Sequence, residues 1–293
     1  MLFRSYSYAE DSGPAWAALA EARAVAAIRP PPPNPYVPAH SEILPIEPAR
    51  LIDEPALSLY YAQDTEFQRP FLTHVLRVRL PRAMASLRNA TLLRFYDACV
   101  KESLNETTYA AGEAGLRFTF NAALEGVQLS VDGYDASAGR LLDEVLAGLR
   151  DCPLSAERFA ALKDRLLREL SAFDRGDAYM TLLESRRRAV REFHHRPDEM
   201  LPLARELTLA QVQAFARSLY ARGKLEALSF GNLGPTTAVA AARRMAATLR
   251  PAALPEAQLL RRRLLAMAPG QSLRTSERLQ VNNSFCDFSN AAA

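Results

Sequence analysis

The sequence is poor in the residue types that hold metals and disulfide frameworks. Its 293 residues include 3 cysteines and 4 histidines. The cysteines are too few and too scattered for a disulfide scaffold or a zinc ribbon. No two histidines have the spacing of an H-x-x-E-H site, in which both histidines bind zinc from one helix and a glutamate acts as base. We therefore expect neither a metal site nor a catalytic residue in this chain.

Long apolar runs and an excess of one charge are also missing. A transmembrane helix needs about 18 or more consecutive apolar residues, which this chain lacks. The segment Met1-Leu-Phe-Arg-Ser-Tyr-Ser-Tyr8 has no apolar core of the kind found in signal peptides. The 36 basic and 33 acidic side chains leave a net charge of +3, a balance that argues against nucleic acid or a membrane as partner. These features predict a soluble protein of the cytoplasm or the periplasm.

The rest of the composition is that of a globular protein with irregular ends. Hydrophobic residues make up 49% and charged residues 24% of the chain, enough for a sizeable core. Residues 1–29 are predicted to be the remnant of a preceding domain, and residues 30–54 a proline-rich linker. Residues 55–250 are expected to form one domain. Residues 251–293 are predicted to be a linker and the first strand of a following, truncated domain.

Residues 71–80 alternate between apolar and polar side chains. Leu72 and Leu76 fall on one face, whereas Arg77 and Arg79 fall on the other. This period of two is typical of a strand that is buried on one side only. The sequence therefore predicts a half-buried strand whose polar face carries both arginines.

A long helix and a hairpin are predicted next. Residues 84–104 have apolar positions three to four apart, as in an amphipathic helix. Residues 117–124 and 127–133 are predicted to form a hairpin around Glu125-Gly126. Its apolar pairs would be Leu124 with Val127, Ala122 with Leu129 and Phe120 with Val131. Its polar face would carry Thr119, Asn121, Ser130 and Asp132.

Helical patterns then dominate, with Ser155 and Thr208 as predicted N-caps. A short central strand at 225–231 is predicted to close the sheet. The order of strands, hairpin, helices and a late strand is typical of an α+β domain. We expect a mostly antiparallel sheet with helices packed on one face.

The polar residues form no recognisable catalytic arrangement. The neighbours His194 and His195 are predicted to be the polar end of a helix, and His74 a histidine of the core. Glu102 and Glu106, one helical turn apart, could share a metal or a proton, but a solvated pair is favoured. The sequence has no Walker loop, dinucleotide-binding glycine pattern or nucleophile elbow.

Several short motifs occur along the chain in a fixed order. They are Pro35-Tyr-Val-Pro38, Ile43-Leu-Pro45, Leu59-Tyr-Tyr-Ala-Gln-Asp64, Lys101-Glu-Ser-Leu-Asn-Glu106, Tyr109-Ala-Ala111, Ala114-Gly-Leu116, Leu129-Ser-Val-Asp-Gly-Tyr134, Leu225-Glu-Ala-Leu-Ser-Phe-Gly-Asn232 and Val281-Asn-Asn-Ser284. Together they resemble the pitrilysin/insulin-degrading (insulinase) family of zinc metallopeptidases. The resemblance covers roughly residues 34–290 and is to the middle, or third, domain of that family, which does not hold the zinc.

In that family, four related α/β domains form two bowl-shaped halves around a closed chamber, and the first domain carries the zinc. The resemblance implies that this chain is a non-catalytic chamber wall that binds peptide substrate. Its partner would be the N-terminal catalytic half, which holds the zinc of the parent enzyme. By the same analogy, Arg77, Arg79, Asn121 and Ser130 would contact substrate. The alternative is that these four are simply the solvated side of an antiparallel sheet.

Two rival functions stay open. One is a stand-alone peptide-binding or chaperone-like protein that has lost catalysis. The other is an enzyme of another class, for which the sequence offers no site. Within the peptidase interpretation, the chain is expected to be a fragment or one subunit of a split enzyme. The alternating segment at 278–288 predicts an unprotected strand edge, so the isolated chain is expected to associate.

Overall fold

The computed structural model describes residues 48–67, 69–124, 126–268, 271 and 273–276. Within these ranges, six strands form one sheet, and eight α-helices pack on one of its faces or on each other. This arrangement confirms the predicted α+β class. The predicted remnant at 1–29, most of the predicted linker and the predicted strand at 278–288 lie outside the described residues.

The sheet is mostly antiparallel. Its strands are β1 (Ala49–Asp53), β2 (Leu57–Gln63), β3 (Phe71–Arg79), β4 (Arg117–Ala123), β5 (Gly126–Tyr134) and β6 (Lys224–Gly231). They lie in the order β1-β2-β6-β3-β5-β4. Of the described pairings, β2 with β6 is parallel and the others are antiparallel. The predicted late strand, β6, therefore lies in the middle of the sheet between β2 and β3.

The helices follow the apolar stripes of the sequence. They are α1 (Leu87–Ser103), α2 (Asn105–Glu113), α3 (Asp135–Asp151), α4 (Ala156–Ser171), α5 (Ala178–Val190), α6 (Pro197–Glu206), α7 (Leu209–Leu219) and α8 (Pro235–Leu249). The predicted caps are confirmed, since the Ser155 hydroxyl accepts from the amide of Arg158 at 3.2 Å and the Thr208 hydroxyl from that of Gln211 at 3.3 Å. Each cap satisfies an amide that has no partner within its helix.

Two buried tyrosines join the helical layer around α1. The Tyr96 hydroxyl donates to the backbone oxygen of Leu149 at 2.8 Å and lies 2.6 Å from the Tyr220 hydroxyl. Both rings are almost completely buried. Because Tyr96 uses its only proton on Leu149, Tyr220 is the donor between the two hydroxyls. The contact holds α1 against the ends of α3 and α7.

The predicted hairpin exists, but its predicted register is wrong. Ala122 pairs with Val127, and the ladder ends at Ala123 and Gly126. The shift is by two residues, so each side chain stays on its predicted face. Gly126 belongs to β5 rather than to the loop, with φ of 146°, and a Cβ atom there would lie 2.5 Å from the backbone oxygen of Val78. Close approach to β3, rather than turn geometry, explains this glycine.

Residues 251–265, which we call the strap, cross one end of the sheet. The Leu260 amide donates to the oxygen of Leu80 at 2.8 Å, and the Leu265 amide donates to the oxygen of Val190 at 2.7 Å. The strap also buries apolar side chains, namely Leu254, Leu259 and Leu260. A segment that the sequence predicts to be a linker is thus fixed to the domain by hydrogen bonds and burial.

Candidate functional site

One face of the sheet is left uncovered by the described helices, and we call it the open face. Along β3 the positions alternate, so Leu76 and Val78 are buried toward the helices whereas Arg77 is exposed on the other side. The cross-strand registers extend this assignment to neighbouring strands. Among the residues of the open face are Tyr60, Phe71, Thr73, Val75, Arg77, Arg79, Arg117, Thr119, Asn121, Gln128, Ser130, Asp132, Tyr134, Lys224, Glu226, Leu228 and Phe230.

A row of polar side chains crosses four strands of this face. Arg77 on β3 lies between Glu226 on β6 and Gln128 on β5, and Gln128 in turn opposes Asn121 on β4. The Arg77 guanidinium is 3.9 Å from the Glu226 carboxylate, and its side chain is 53% exposed. An ion pair this long and this exposed restrains the arginine weakly. Arg77 can therefore turn toward a ligand at little cost.

Arg79 is held much more firmly. Its guanidinium makes two hydrogen bonds to Glu256 of the strap, at 2.6 and 3.0 Å, and one to Glu226 at 3.3 Å. Burial works to lower the pKa of Arg79, but these carboxylates raise it overall. The hydrogen bonds from Arg79, with a further one from Arg261, lower the pKa of Glu256. The arginine that the sequence predicts to meet substrate thus also ties the strap to the sheet.

Ser130 and Asn121 lie on the same face as Arg77, on the two strands that follow β3 toward the sheet edge. The Ser130 hydroxyl is 2.7 Å from the Thr119 hydroxyl across the β4–β5 ladder. Asn121 is exposed near the end of β4. The structure thus brings the predicted residues together on one surface, where hydroxyl and amide groups can hydrogen-bond to an extended backbone.

Aromatic side chains on the open face are a feature that the sequence patterns did not predict. The rings of Phe71 and Tyr134 are 4.6 Å apart between centroids, yet 40% and 48% of these residues remain exposed. Tyr60 and Phe230 are similarly exposed on neighbouring strands. The sequence did carry a signal for them, because these aromatic residues occupy the positions of the strands at which the alternation otherwise places polar side chains. Such a group of rings offers apolar contact area to a bound molecule.

A second feature, which we call the edge groove, lies beside β4 on the helical side. It has a volume of about 810 Å³ and is bounded by α1, α4, the end of β4 and residues 191–195. Among its lining residues are Ala90, Leu93, Ala98, Arg165, Leu166 and Phe193. The Asp97 carboxylate in this groove accepts a hydrogen bond from the Ala122 amide on the outer edge of β4, at 2.9 Å. Asn121 also lines the groove, so the groove and the open face meet at β4.

The prediction that His74 belongs to the core is confirmed, since it is 2% exposed. Its Nδ1 atom lies 2.9 Å from the Ser229 hydroxyl on β6. Burial, assisted by the positive charge of Arg244, lowers the pKa of His74 to about 4. This histidine is therefore neutral near pH 7 and packs beneath the helices, away from the open face.

The paired histidines lie between α5 and α6. The His194 Nε2 atom is 2.7 Å from the Glu184 carboxylate, and this hydrogen bond is the main cause that lowers the pKa of Glu184. The His195 Nε2 atom donates instead to the backbone oxygen of Ala85 at 3.0 Å. The two rings thus have different partners and do not converge on one point.

Glu102 and Glu106, the carboxylates one helical turn apart in the sequence, also have different surroundings. Glu106 accepts a hydrogen bond from Arg158 at 3.0 Å in an exposed position, whereas Glu102 lines the edge groove. Within the described ranges, no three histidine, cysteine or acidic side chains are grouped so that they could hold a metal ion. Among the same residues, no helix is both long and apolar enough to cross a membrane.

Comparison with known proteins identifies the domain type. A family model described as the middle or third domain of peptidase M16 matches residues 6–202. Human insulin-degrading enzyme is 28% identical over 206 residues, which are 68% of this chain and 20% of that enzyme. The chain therefore spans about a fifth of the length of this relative.

Solved structures show the same fold. The crystal structure of pitrilysin matches with a TM-score of 0.65 at 23% identity, covering 74% of this chain and 24% of that one. The inactive domain of a peptidase M16 from Pseudomonas fluorescens matches with a TM-score of 0.54 at 16% identity, covering 72% of this chain and 53% of that one. Since the family model covers more than half of the chain, the protein belongs to the peptidase M16 (insulinase/pitrilysin) family of zinc metallopeptidases, and the matched part is its middle or third domain.

Proposed function

We propose that this chain is a non-catalytic chamber wall of an M16 zinc peptidase and that its open face contacts the peptide substrate. The observation that supports this most directly is the open face itself, which in a peptidase-family domain carries both exposed rings and the polar row around Arg77. The substrate-binding residues would be Arg77, Arg79, Asn121 and Ser130. The chain is then a fragment or a subunit of the complete peptidase.

These side chains would bind and orient a peptide rather than react with it. Arg77 can pair with an acidic side chain or a terminal carboxylate because its own ion pair is long and exposed. Ser130 and Asn121 would hydrogen-bond to the peptide backbone, and Phe71 with Tyr134 would contact apolar side chains. Holding a flexible peptide in one orientation lowers the entropic part of the barrier to cleavage.

The reaction itself would take place on another segment of the assembly. Zinc held by that segment would supply a water molecule activated for attack on the peptide bond. We propose that an N-terminal catalytic half is the partner that supplies this zinc. The middle domain would contribute to KM and to orientation through its own residues.

Photo-cross-linking would test the role of the open face. A peptide carrying a benzophenone side chain would be irradiated with the purified chain, and the attachment sites located by mass spectrometry. We expect attachment to β3, β4 and β5 on the open face. Arg77→Glu should weaken binding of a fluorescein-labelled acidic peptide about ten-fold, as loss of one charge-assisted contact implies.

Arg140→Glu is a suitable control, because Arg140 is exposed on α3 and pairs only with Glu144 of the same helix in the described region. It makes the same charge change away from the open face. Equal weakening by both variants, or cross-links confined to the helices, would contradict the proposal.

A further inference from the structure

We propose that the outer edge of β4 and the adjacent edge groove together bind an acidic peptide segment as an additional strand. The inference rests on the proposed function only in taking a peptide as the ligand. It adds a second binding surface and a substrate class, namely extended segments whose alternate side chains are acidic.

β4 has an outer edge whose backbone groups can hydrogen-bond to an added strand. β4 is the terminal strand of the described sheet, and its Ala122 amide points outward to Asp97. In an antiparallel ladder the outward groups recur at every second residue, so Phe118 and Phe120 also direct their amides away from β5. No hydrogen-bond partner occupies these two amides within the described ranges. An unpaired strand edge of this kind accepts another strand.

The groove fixes where the side chains of an added strand would go. On β4, Ala122 and Phe120 are buried toward the helices, whereas Thr119 and Asn121 face the open side. An added strand would have the same alternation. Every second side chain would therefore enter the groove, where the small apolar side chain of Ala98 on α1 leaves room for it. The other side chains would extend the open face.

The charges in the groove select an acidic side chain. Arg94 on α1 approaches Glu169 on α4 at 3.6 Å, and Glu106 on α2 bonds to Arg158 on α4 at 3.0 Å. The chain from α1 into α2 therefore runs antiparallel to α4 along the groove. Arg165, between the two α4 contacts, lies beside the middle of the groove. It is exposed and has no ion-pair partner in the described part of the chain.

The acidic residues nearby are already engaged or lie elsewhere. Asp97 is bonded to the Ala122 amide and to Lys101 at 2.7 Å, and Glu102 is nearer the far end of α1. The Nε atom of Arg94, which also lines the groove, is buried without a hydrogen-bond partner among the described residues. A carboxylate entering the middle of the groove would meet the charge of Arg165 and lie near the guanidinium of Arg94, whose ion pair with Glu169 is long at 3.6 Å.

The probe is a fluorescein-labelled peptide of five Val-Glu repeats, compared with five Val-Lys repeats by fluorescence anisotropy on the full chain. We expect the glutamate peptide to bind at least about ten-fold more tightly. Two N-methylated versions of the glutamate peptide would be compared, one methylated at the valine amides and the other at the glutamate amides. Methylation should abolish binding in one version and spare it in the other, because only one set of amides faces β4. Equal binding of the two peptides, or indifference to N-methylation, would overturn the proposal.

Arg165→Glu should weaken binding of the glutamate peptide about ten-fold or more. Arg217→Glu on α7 is the matched control, because it makes the same change on an exposed arginine outside the groove. Circular dichroism would establish that both variants fold. If Arg165→Glu and Arg217→Glu bind alike, the groove is not the site.

The outcomes also separate this inference from the proposed function. Binding that depends on Arg77 but not on Arg165 would leave the open face as the peptide site and exclude the groove. Binding that depends on Arg165 but not on Arg77 would do the reverse. A dimer in sedimentation that the peptide does not dissociate, and in which the amides of Phe118 and Phe120 exchange slowly, would show that a second copy occupies β4 and would overturn the inference.

Discussion

Acid should destabilise this domain through the buried histidine of β3, His74. His74 is 2% exposed, and its pKa falls from 6.5 to about 4, chiefly because burial disfavours the charged ring and secondarily because Arg244 is nearby. Its neighbour Ser229 is a neutral group and cannot balance a positive charge. Protonation of the folded state is therefore costly, whereas the unfolded chain takes up the proton near pH 6.5.

The depressed pKa of His74 determines how the free energy of unfolding changes with pH. Above pH 6.5 both states are neutral at this position, so no stability is lost. Below that value the unfolded chain binds one more proton than the folded domain, and the free energy of unfolding falls as the pH falls. The slope is at most about 1.4 kcal/mol per pH unit and is smaller near each pKa, so roughly 2 kcal/mol would be lost between pH 6.5 and pH 4.5. Carboxylates with a lowered pKa, such as Glu184, begin to contribute only at the low end of that interval, because their unfolded pKa is 4.5.

Urea unfolding followed by circular dichroism at pH 6.5, 5.5 and 4.5 would measure this loss. His74→Gln keeps a side chain that can hydrogen-bond to Ser229 but removes the titration. We expect the variant to be the less stable protein at pH 6.5 and to lose roughly 2 kcal/mol less than the native chain on acidification. Parallel pH profiles for the two proteins would refute this reasoning.

Three further substitutions test other contacts. Tyr96→Phe should cost about 1–3 kcal/mol in urea unfolding, because it leaves the oxygen of Leu149 buried without its donor. Arg79→Met should loosen the strap around Glu256, which would appear as faster amide hydrogen exchange there with little change in the sheet. Gly231→Ala should lower the free energy of unfolding by about 3 kcal/mol or more, because φ is +118° and the new Cβ would lie 2.3 Å from the oxygen of Phe71. An alanine variant as stable as the native chain would contradict that geometry.

Local patterns predicted well which side of a strand is buried. The alternation along 71–80 indicated the buried and exposed faces of β3, because a period of two is a direct consequence of strand geometry. The same rule placed Asn121 and Ser130 together on the polar face of the hairpin, whereas their position beside Arg77 followed from the family resemblance and is seen in the pairing of β3 with β5. The hairpin register was wrong because Gly126 resembles a turn residue in sequence, whereas it is needed where β5 passes close to Val78.

Features that depend on distant parts of the chain were not predictable. The strap is held by Glu256 pairing with Arg79 and by Leu260 bonding to Leu80, contacts that no local pattern encodes. The edge groove arises where α1 and α4 meet beside β4, so its shape depends on helix packing rather than on periodicity. The aromatic residues of the open face were visible in the sequence, but their proximity depended on the pairing of β3 with β5.

The central position of β6 has a consequence for how the domain assembles. Because β6 separates β2 from β3, the first two strands cannot join the rest of the sheet until the chain has been synthesised beyond residue 231. Until then both β2 and β3 present unsatisfied edges to their surroundings, a state in which nascent chains are prone to pair with the wrong neighbour. Insertion of β6 between β2 and β3 should therefore be the step of folding that depends on chaperones. Recovery of native protein after translation with and without added chaperone would measure this dependence.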